Sequence, residues 1–399
     1  MGERVHSRCS IVMEKERGKV ISFQPSKEEQ AFFQVARSLA VEKIRPVARE
    51  CEKHRTVSVD VSERVDELGL STLELPESWG GLELPLLSQS IIWQALSYGD
   101  LGVIQGLPGA GEASSLFRLS PEHRVWHRYR EMAKGGWPTV AWIDEAEQKE
   151  PLKEAIRVRR RGSGYIVDGV SSPVRLASKA DWAVIAARDE EEETVLLAFD
   201  ERVWEIEEGD IRLGLLAAGI ARLRFAEVYA GPEQLVARGP EADALLNRMR
   251  ARNQVIEAAK EVGLMEAALD YTIEYTAGRK AFGQEIAKFQ GVSFTIAEMA
   301  FECRGAKLLV WQAAAAVDRG DEQAGGYAWS ALSRAHRSLR YVTDQAVQML
   351  GGHGYVQEYP AEKWMRDAQA QVMLYGRETD WLIRRGEQLL GKRKERVAP

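Results

Sequence analysis

From Ala242 almost to the end of the chain, apolar residues recur every three to four positions. Segments 243–275, 288–318, 325–350 and 361–391 are each long and amphipathic. A helix with one apolar stripe has to bury it, and long helices with short connections do so by packing antiparallel. The pattern therefore predicts a C-terminal four-helix bundle. A bundle this long buries a further face against a copy of itself, so an oligomer is expected.

The first third is also helical. Ser26 and Glu29 have the spacing of a capping box, and Phe32, Phe33, Val35, Ala36, Leu39, Ala40 and Ile44 follow at helical spacing. Further helices are expected over 61–68, 86–98 and 121–132, with a Pro/Gly turn at Leu75-Pro76-Glu77-Ser78-Trp79-Gly80-Gly81. The middle reads differently. Short β-rich runs at 139–143, 164–169, 182–186, 194–199 and 223–228 predict a small antiparallel barrel or sandwich. The expected organisation is mainly α with a middle β domain. It comprises a polar tail (1–24), an N-terminal helical domain (25–136), a β domain (137–241), the bundle (242–392) and a solvated basic tail (393–399).

Composition narrows the function. The 399 residues are 45% apolar and 29% charged, as in an ordinary globular protein. The net charge of −6 argues against nucleic acid as the main partner. No apolar run reaches the ~18–20 residues of a membrane span. Cys9, Cys51 and Cys303 are too few and too far apart for a disulfide framework or a zinc site, so the cytoplasm is expected.

Local features are weak when taken singly. Arg279 beside the Phe282-Gly283 turn can hold a phosphate or simply be solvated. The Gly351-Gly352-His353-Gly354 loop can approach a ligand or merely end a helix. Arg366-Asp367 reads as an ion pair. His123 and His127 stand i, i+4 on an expected helix, but no third ligand accompanies them, so no metal is expected. No Ser-His-Asp or Cys-His arrangement stands out.

In combination, Arg279-x-x-Phe282-Gly283, Phe289-Gln290, Gly351-Gly352-x-Gly354-Tyr355, Glu358-Tyr359-Pro360 and Arg366-Asp367 resemble the acyl-CoA dehydrogenase family. The early Pro-Glu-Ser-Trp-Gly-Gly turn and the helix–strand–helix order are similar too. The resemblance implies FAD held between the β domain and the bundle, with its adenine and pyrophosphate reaching a neighbouring subunit of a tetramer. It implies a carboxylate that removes the α-proton of an acyl-CoA thioester while hydride passes to the flavin. An electron-transfer flavoprotein then reoxidises the flavin. Such a base works best desolvated, with a raised pKa.

The chain departs from the family where the reaction happens. The family's base stands shortly after the Arg-Asp pair, and here that place is Tyr375, followed by Gly376 and Arg377. Tyrosine, with a pKa near ~10, is a poor base at neutral pH. Some members carry the base on an earlier helix, where this chain has Asn253 followed by Gln254. The family's glycine-containing flavin loop corresponds to the acidic stretch Ile143 to Glu150. Its ring-packing segment corresponds to Ser171-Ser172-Pro173-Val174-Arg175, with Pro173 for Trp and Arg175 for Thr. Kept are Arg279, Gln290, Gly351 and Gly352, which in the family meet the nucleotide half of FAD across the subunit boundary.

Three readings follow. In the first, the chain lacks its own base, and Arg279, Phe282, Gln290, Gln348, Gly351 and Gly352 complete the FAD site of a second, competent chain in a mixed assembly. In the second, a homotetramer works with a displaced base, Glu378, Glu257 or Glu261. In the third, the fold serves other flavin or acyl-CoA chemistry, or ligand binding.

Overall fold

The computed structural model describes residues 26–146, 154–207 and 211–397. The expected tail over 1–24 lies outside them. Ser26 caps α1 (Lys27–Leu39): its hydroxyl accepts from the Glu29 N–H at 3.1 Å, and the Glu29 carboxylate accepts from the Ser26 N–H at 2.7 Å. One wide turn, Ala40–Ile44, leads into α2 (Arg45–His54). Next come α3 (Val59–Glu67) and α4 (Leu86–Ser97), close to expectation. Two more, α5 (Leu101–Gln105) and α6 (Ala113–Leu119), carry no amphipathic signature because nearly every residue in them is buried. The segment 121–132 is α-helical only in α7 (His127–Met132), after a 3-10 turn at Arg124–Trp126. His123 precedes that turn, and its Nδ1 accepts from the Val125 N–H at 3.4 Å, so the two histidines share no helix.

Two four-stranded sheets face each other. One has the order β1 (Val140–Asp144), β4 (Trp182–Arg188), β5 (Thr194–Phe199), β8 (Leu235–Arg238). The other has the order β2 (Arg157–Arg161), β3 (Gly164–Val170), β7 (Arg222–Ala230), β6 (Glu205–Glu207). Val167, Ile185, Leu197, Leu223 and Phe225 fill the space between them. The expected antiparallel arrangement holds except at one pair, since β1 runs parallel to β4. The β2 strand escapes the sequence pattern because it is an edge strand that buries only Val158 among four arginines.

The C-terminal part begins with α8 (Gly239–Gly278), whose 40 residues form the longest element. A minimal hairpin, β9 (Lys280–Ala281) and β10 (Gln284–Glu285), joins it to α9 (Gln290–Asp318). Then follow α10 (Ala324–Leu350), α11 (Ala361–Leu374) and α12 (Glu378–Val397). The α10 helix packs against α8, α9, α11 and α12, and α4 lies across α8. Val255, Val262, Leu339, Val342 and Trp364 are buried at these seams; each such side chain contributes about 1.5–3 kcal/mol on burial. The expected single helix over 361–391 is two helices, broken at Tyr375–Arg377, and α12 continues through the expected basic tail to Val397. Among the described residues, no helix is long and apolar enough to cross a membrane.

Candidate functional site

A cavity of about 280 Å³ opens where β1, the 172–175 stretch, α8, α10 and the α11–α12 break converge. The break itself puts Tyr375 into its wall. Tyr375 caps α11, and Gly376 turns the chain at φ +93°. A Cβ on Gly376 would stand 2.9 Å from the Trp381 ring, so glycine is required there both by conformation and by space.

Tyr375 is held in a buried polar cluster. Its hydroxyl donates to Glu112 Oε1 at 2.7 Å. Arg175 clamps the same carboxylate with two hydrogen bonds, Nε to Oε1 at 3.0 Å and Nη2 to Oε2 at 2.8 Å. Arg175 Nη1 donates to the Gln105 carbonyl at 2.9 Å, and the residue is only 6% exposed. A Cβ on Gly111 would stand 2.6 Å from Arg175 Nη2, so that glycine, at φ +54°, makes room for the guanidinium.

Electrostatics fix the protonation states. Burial alone would push Glu112 up, but the adjoining Arg175 guanidinium outweighs it and holds the carboxyl at about 2. Burial, together with the Glu112 and Glu257 carboxylates, drives the Tyr375 phenol well above its ordinary value. Tyr375 is therefore a hydrogen-bond donor and not a base.

The other carboxylates near the cavity are also tied. Glu257 accepts from Lys260 Nζ at 2.6 Å, Gln105 Nε2 at 2.5 Å and Gln371 Nε2 at 3.0 Å. Asp144 is clamped by Arg250, at 2.8 Å from Nε and 2.6 Å from Nη2. Glu145 Oε1 accepts from the Ser172 N–H at 2.7 Å and its hydroxyl at 2.8 Å, and burial raises the Glu145 pKa. Residues 147–150 of the acidic stretch lie outside the described residues. Asn253 lines the cavity and donates to the Glu112 carbonyl at 3.2 Å.

The expected site residues fall into two groups. Tyr375, Arg175, Pro173, Asn253, Gln254 and Glu257 line the cavity. Glu378 does not: it opens α12 and pairs with Arg340. Glu261 is fully buried against His336, 2.8 Å from its Nδ1, and lines no part of the cavity. Arg279, Phe282, Gln290, Gln348, Gly351 and Gly352 are all exposed and lie away from the cavity wall. Phe282 is 94% exposed at φ +52°. Within the glycine loop, His353 stacks on Tyr359 and its Nδ1 lies 2.7 Å from Tyr275 Oη.

Sequence reasoning missed Glu112, the residue that organises the site. Its one local signal is the turn Pro108-Gly109-Ala110-Gly111 just before it. Its partners Arg175 and Tyr375 are distant in sequence, so nothing local pairs them.

The fit to FAD is partial. Trp142 and Trp381 line the cavity and offer flat faces beside Pro173, but the Glu112–Arg175 ion pair also stands in its wall, and the volume of about 280 Å³ is at the low end for ligand sites. The exposed Arg279 and glycine loop suit a phosphate-bearing ligand.

Residues 26–117 match the acyl-CoA dehydrogenase N-terminal domain, and residues 244–379 match the acyl-CoA dehydrogenase C-terminal domain. A probable acyl-CoA dehydrogenase of Mycobacterium tuberculosis is 24% identical over 363 residues, covering 89% of this chain and 93% of its own. Cyclohex-1-ene-1-carbonyl-CoA dehydrogenase of Geobacter metallireducens is 27% identical over 369 residues, covering 88% and 95%. The butyryl-CoA dehydrogenase of Megasphaera elsdenii superposes with a TM-score of 0.78 at 22% identity, over 93% of this chain and 100% of that one. The two matched domains take in more than half of the 399 residues and flank the β region in the observed order, so the chain belongs to the acyl-CoA dehydrogenase family.

Proposed function

We propose that this chain is an acyl-CoA dehydrogenase-family subunit without a catalytic base of its own. It retains an acyl-thioester site and completes the FAD site of a second, competent chain. One observation carries the reading: the family's base position is a half-buried tyrosine whose hydroxyl donates to an already ionised Glu112. Removing an α-proton needs a positioned acceptor, and Tyr375 has none to offer. The exposed set Arg279, Phe282, Gln290, Gln348, Gly351 and Gly352 supports the second half of the reading, because it faces outward, where another subunit's nucleotide would lie. Electron-transfer flavoprotein then serves the partner's flavin and not this chain.

The test is purification of the chain alone, with visible absorption and mass by light scattering. A colourless protein, stabilised and tetrameric only when a competent dehydrogenase chain is co-expressed, is the expected result. A yellow homotetramer carrying about one FAD per subunit overturns it. The self-sufficient reading has one observation in its favour, the Glu257 carboxylate in the cavity wall. If the pure chain dehydrogenates an acyl-CoA, Glu257→Gln should abolish that turnover.

A further inference from the structure

The glycine loop has an open side and a held side. Gly351 and Gly352 face open space, since a Cβ on either would meet nothing within 4 Å. Gly354 faces inward, where a Cβ would run into the Val347 carbonyl oxygen of α10. Between them, His353 lies flat on Tyr359, with ring centroids 4.6 Å apart and planes 9° from parallel. Its Nδ1 meets Tyr275 Oη of α8 at 2.7 Å, and the same hydroxyl lies 3.4 Å from the Leu350 carbonyl at the end of α10. The Tyr275 carbonyl, in turn, accepts the Arg279 N–H at 2.9 Å. Tyr275 therefore joins two segments distant in sequence, the Arg279 turn and the glycine loop.

This tie has two settings. When Nδ1 accepts, the Tyr275 hydroxyl donates to it and is not available to Leu350. When Nδ1 carries a proton, it donates to Tyr275 Oη, and the hydroxyl turns to the Leu350 carbonyl. A neutral imidazole can take either part, whereas a protonated one can only donate. The charge would also stand beside the C-terminal end of α10, where the helix dipole favours a cation. Histidine changes charge between pH 5 and 8, and tyrosines keep their proton over that range. The neighbours are mostly tyrosines: Tyr275, Tyr359 and, beyond them, Tyr271 of α8 with Glu274. Arg49 of α2 donates to the Tyr359 carbonyl at 2.7 Å, and is paired with Glu362 at 2.5 Å and Glu52 at 3.0 Å.

We infer that His353 is a positioning residue whose proton tightens the chain's hold on a pyrophosphate. Protonated, it fastens the loop to α8 and α10 through Tyr275 and adds a positive charge beside the two open glycines. This rests on the reading that the exposed Arg279 and glycine loop meet a nucleotide.

ADP-ribose is the probe, because it carries adenine and pyrophosphate without a flavin ring and keeps its charge between pH 5.5 and 8. Ligand-observed NMR titration of the pure chain should show binding at least about threefold tighter at pH 5.5 than at pH 8. His353→Asn should bind equally at both pH values, at the affinity of the native chain at pH 8. Equal native binding at the two pH values overturns the inference, as does a ratio that persists in His353→Asn. Should that variant fail to fold, Tyr275→Phe, which deletes only the hydroxyl, should lower the ratio, and an unchanged ratio overturns the tie. Absence of ADP-ribose binding at both pH values instead removes the nucleotide reading itself, and the role of His353 with it.

Discussion

Two carboxylates, the largely buried Glu112 and the buried Glu145, respond to their surroundings in opposite directions. Glu112 is held at about 2 by Arg175 against its own burial. A depressed carboxyl contributes stability that is complete above its unfolded pKa near ~4.5 and fades as pH falls toward 2. Removing Arg175 alone strands that charge. Arg175→Ala should cost about 3–5 kcal/mol in urea unfolding at pH 7, and Glu112→Ala/Arg175→Ala much less than the sum of the single changes. Glu145 behaves the other way, because burial raises it and its charged form is disfavoured in the fold. Its contribution is present below its ordinary pKa and lost as pH rises through the raised value. Glu145→Gln should therefore raise Tm at pH 7–8 and lose that advantage near pH 4, as scanning calorimetry at both pH values would register.

At the scale of elements, the α11–α12 break is the decisive feature. Helical periodicity runs through 361–391 without a gap, so the amphipathic pattern alone predicts one helix. The pattern records which face is buried and not whether the axis continues. A single glycine at φ +93° redirects the axis, and tight packing on Trp381 holds it there. Gly376→Ala should destabilise by more than about 1 kcal/mol, since alanine fits neither the dihedral nor the space. Its signature should be faster amide exchange in α12 with α8 and α9 unchanged. Both α5 and α6 were invisible for the converse reason: short helices with nearly every residue buried have no polar face to set a period. The charged β2 strand was missed because an edge strand needs only one apolar residue.

For the molecule as a whole, the outer face of α9 carries Phe294, Phe301 and Leu308, which are 61%, 75% and 42% exposed at seven-residue intervals. An exposed apolar stripe of this kind marks an interaction surface. Under the proposed assembly, Phe301→Glu should leave the monomer folded by circular dichroism and lower the mass seen by light scattering.

Periodicity and motif order were enough to read the three-part architecture and the family directly from the chain, because long amphipathic helices and glycine-bearing turns write their requirements locally. That Tyr375 and Asn253, and not carboxylates, occupy their two positions was legible as well. What surrounds Tyr375 was not legible. Glu112, Arg175 and Tyr375 come from a loop before α6, a stretch between strands and the end of α11, and only the folded chain brings them within hydrogen-bond distance. A buried ion pair is defined by distance and desolvation, and neither has a pattern along the chain.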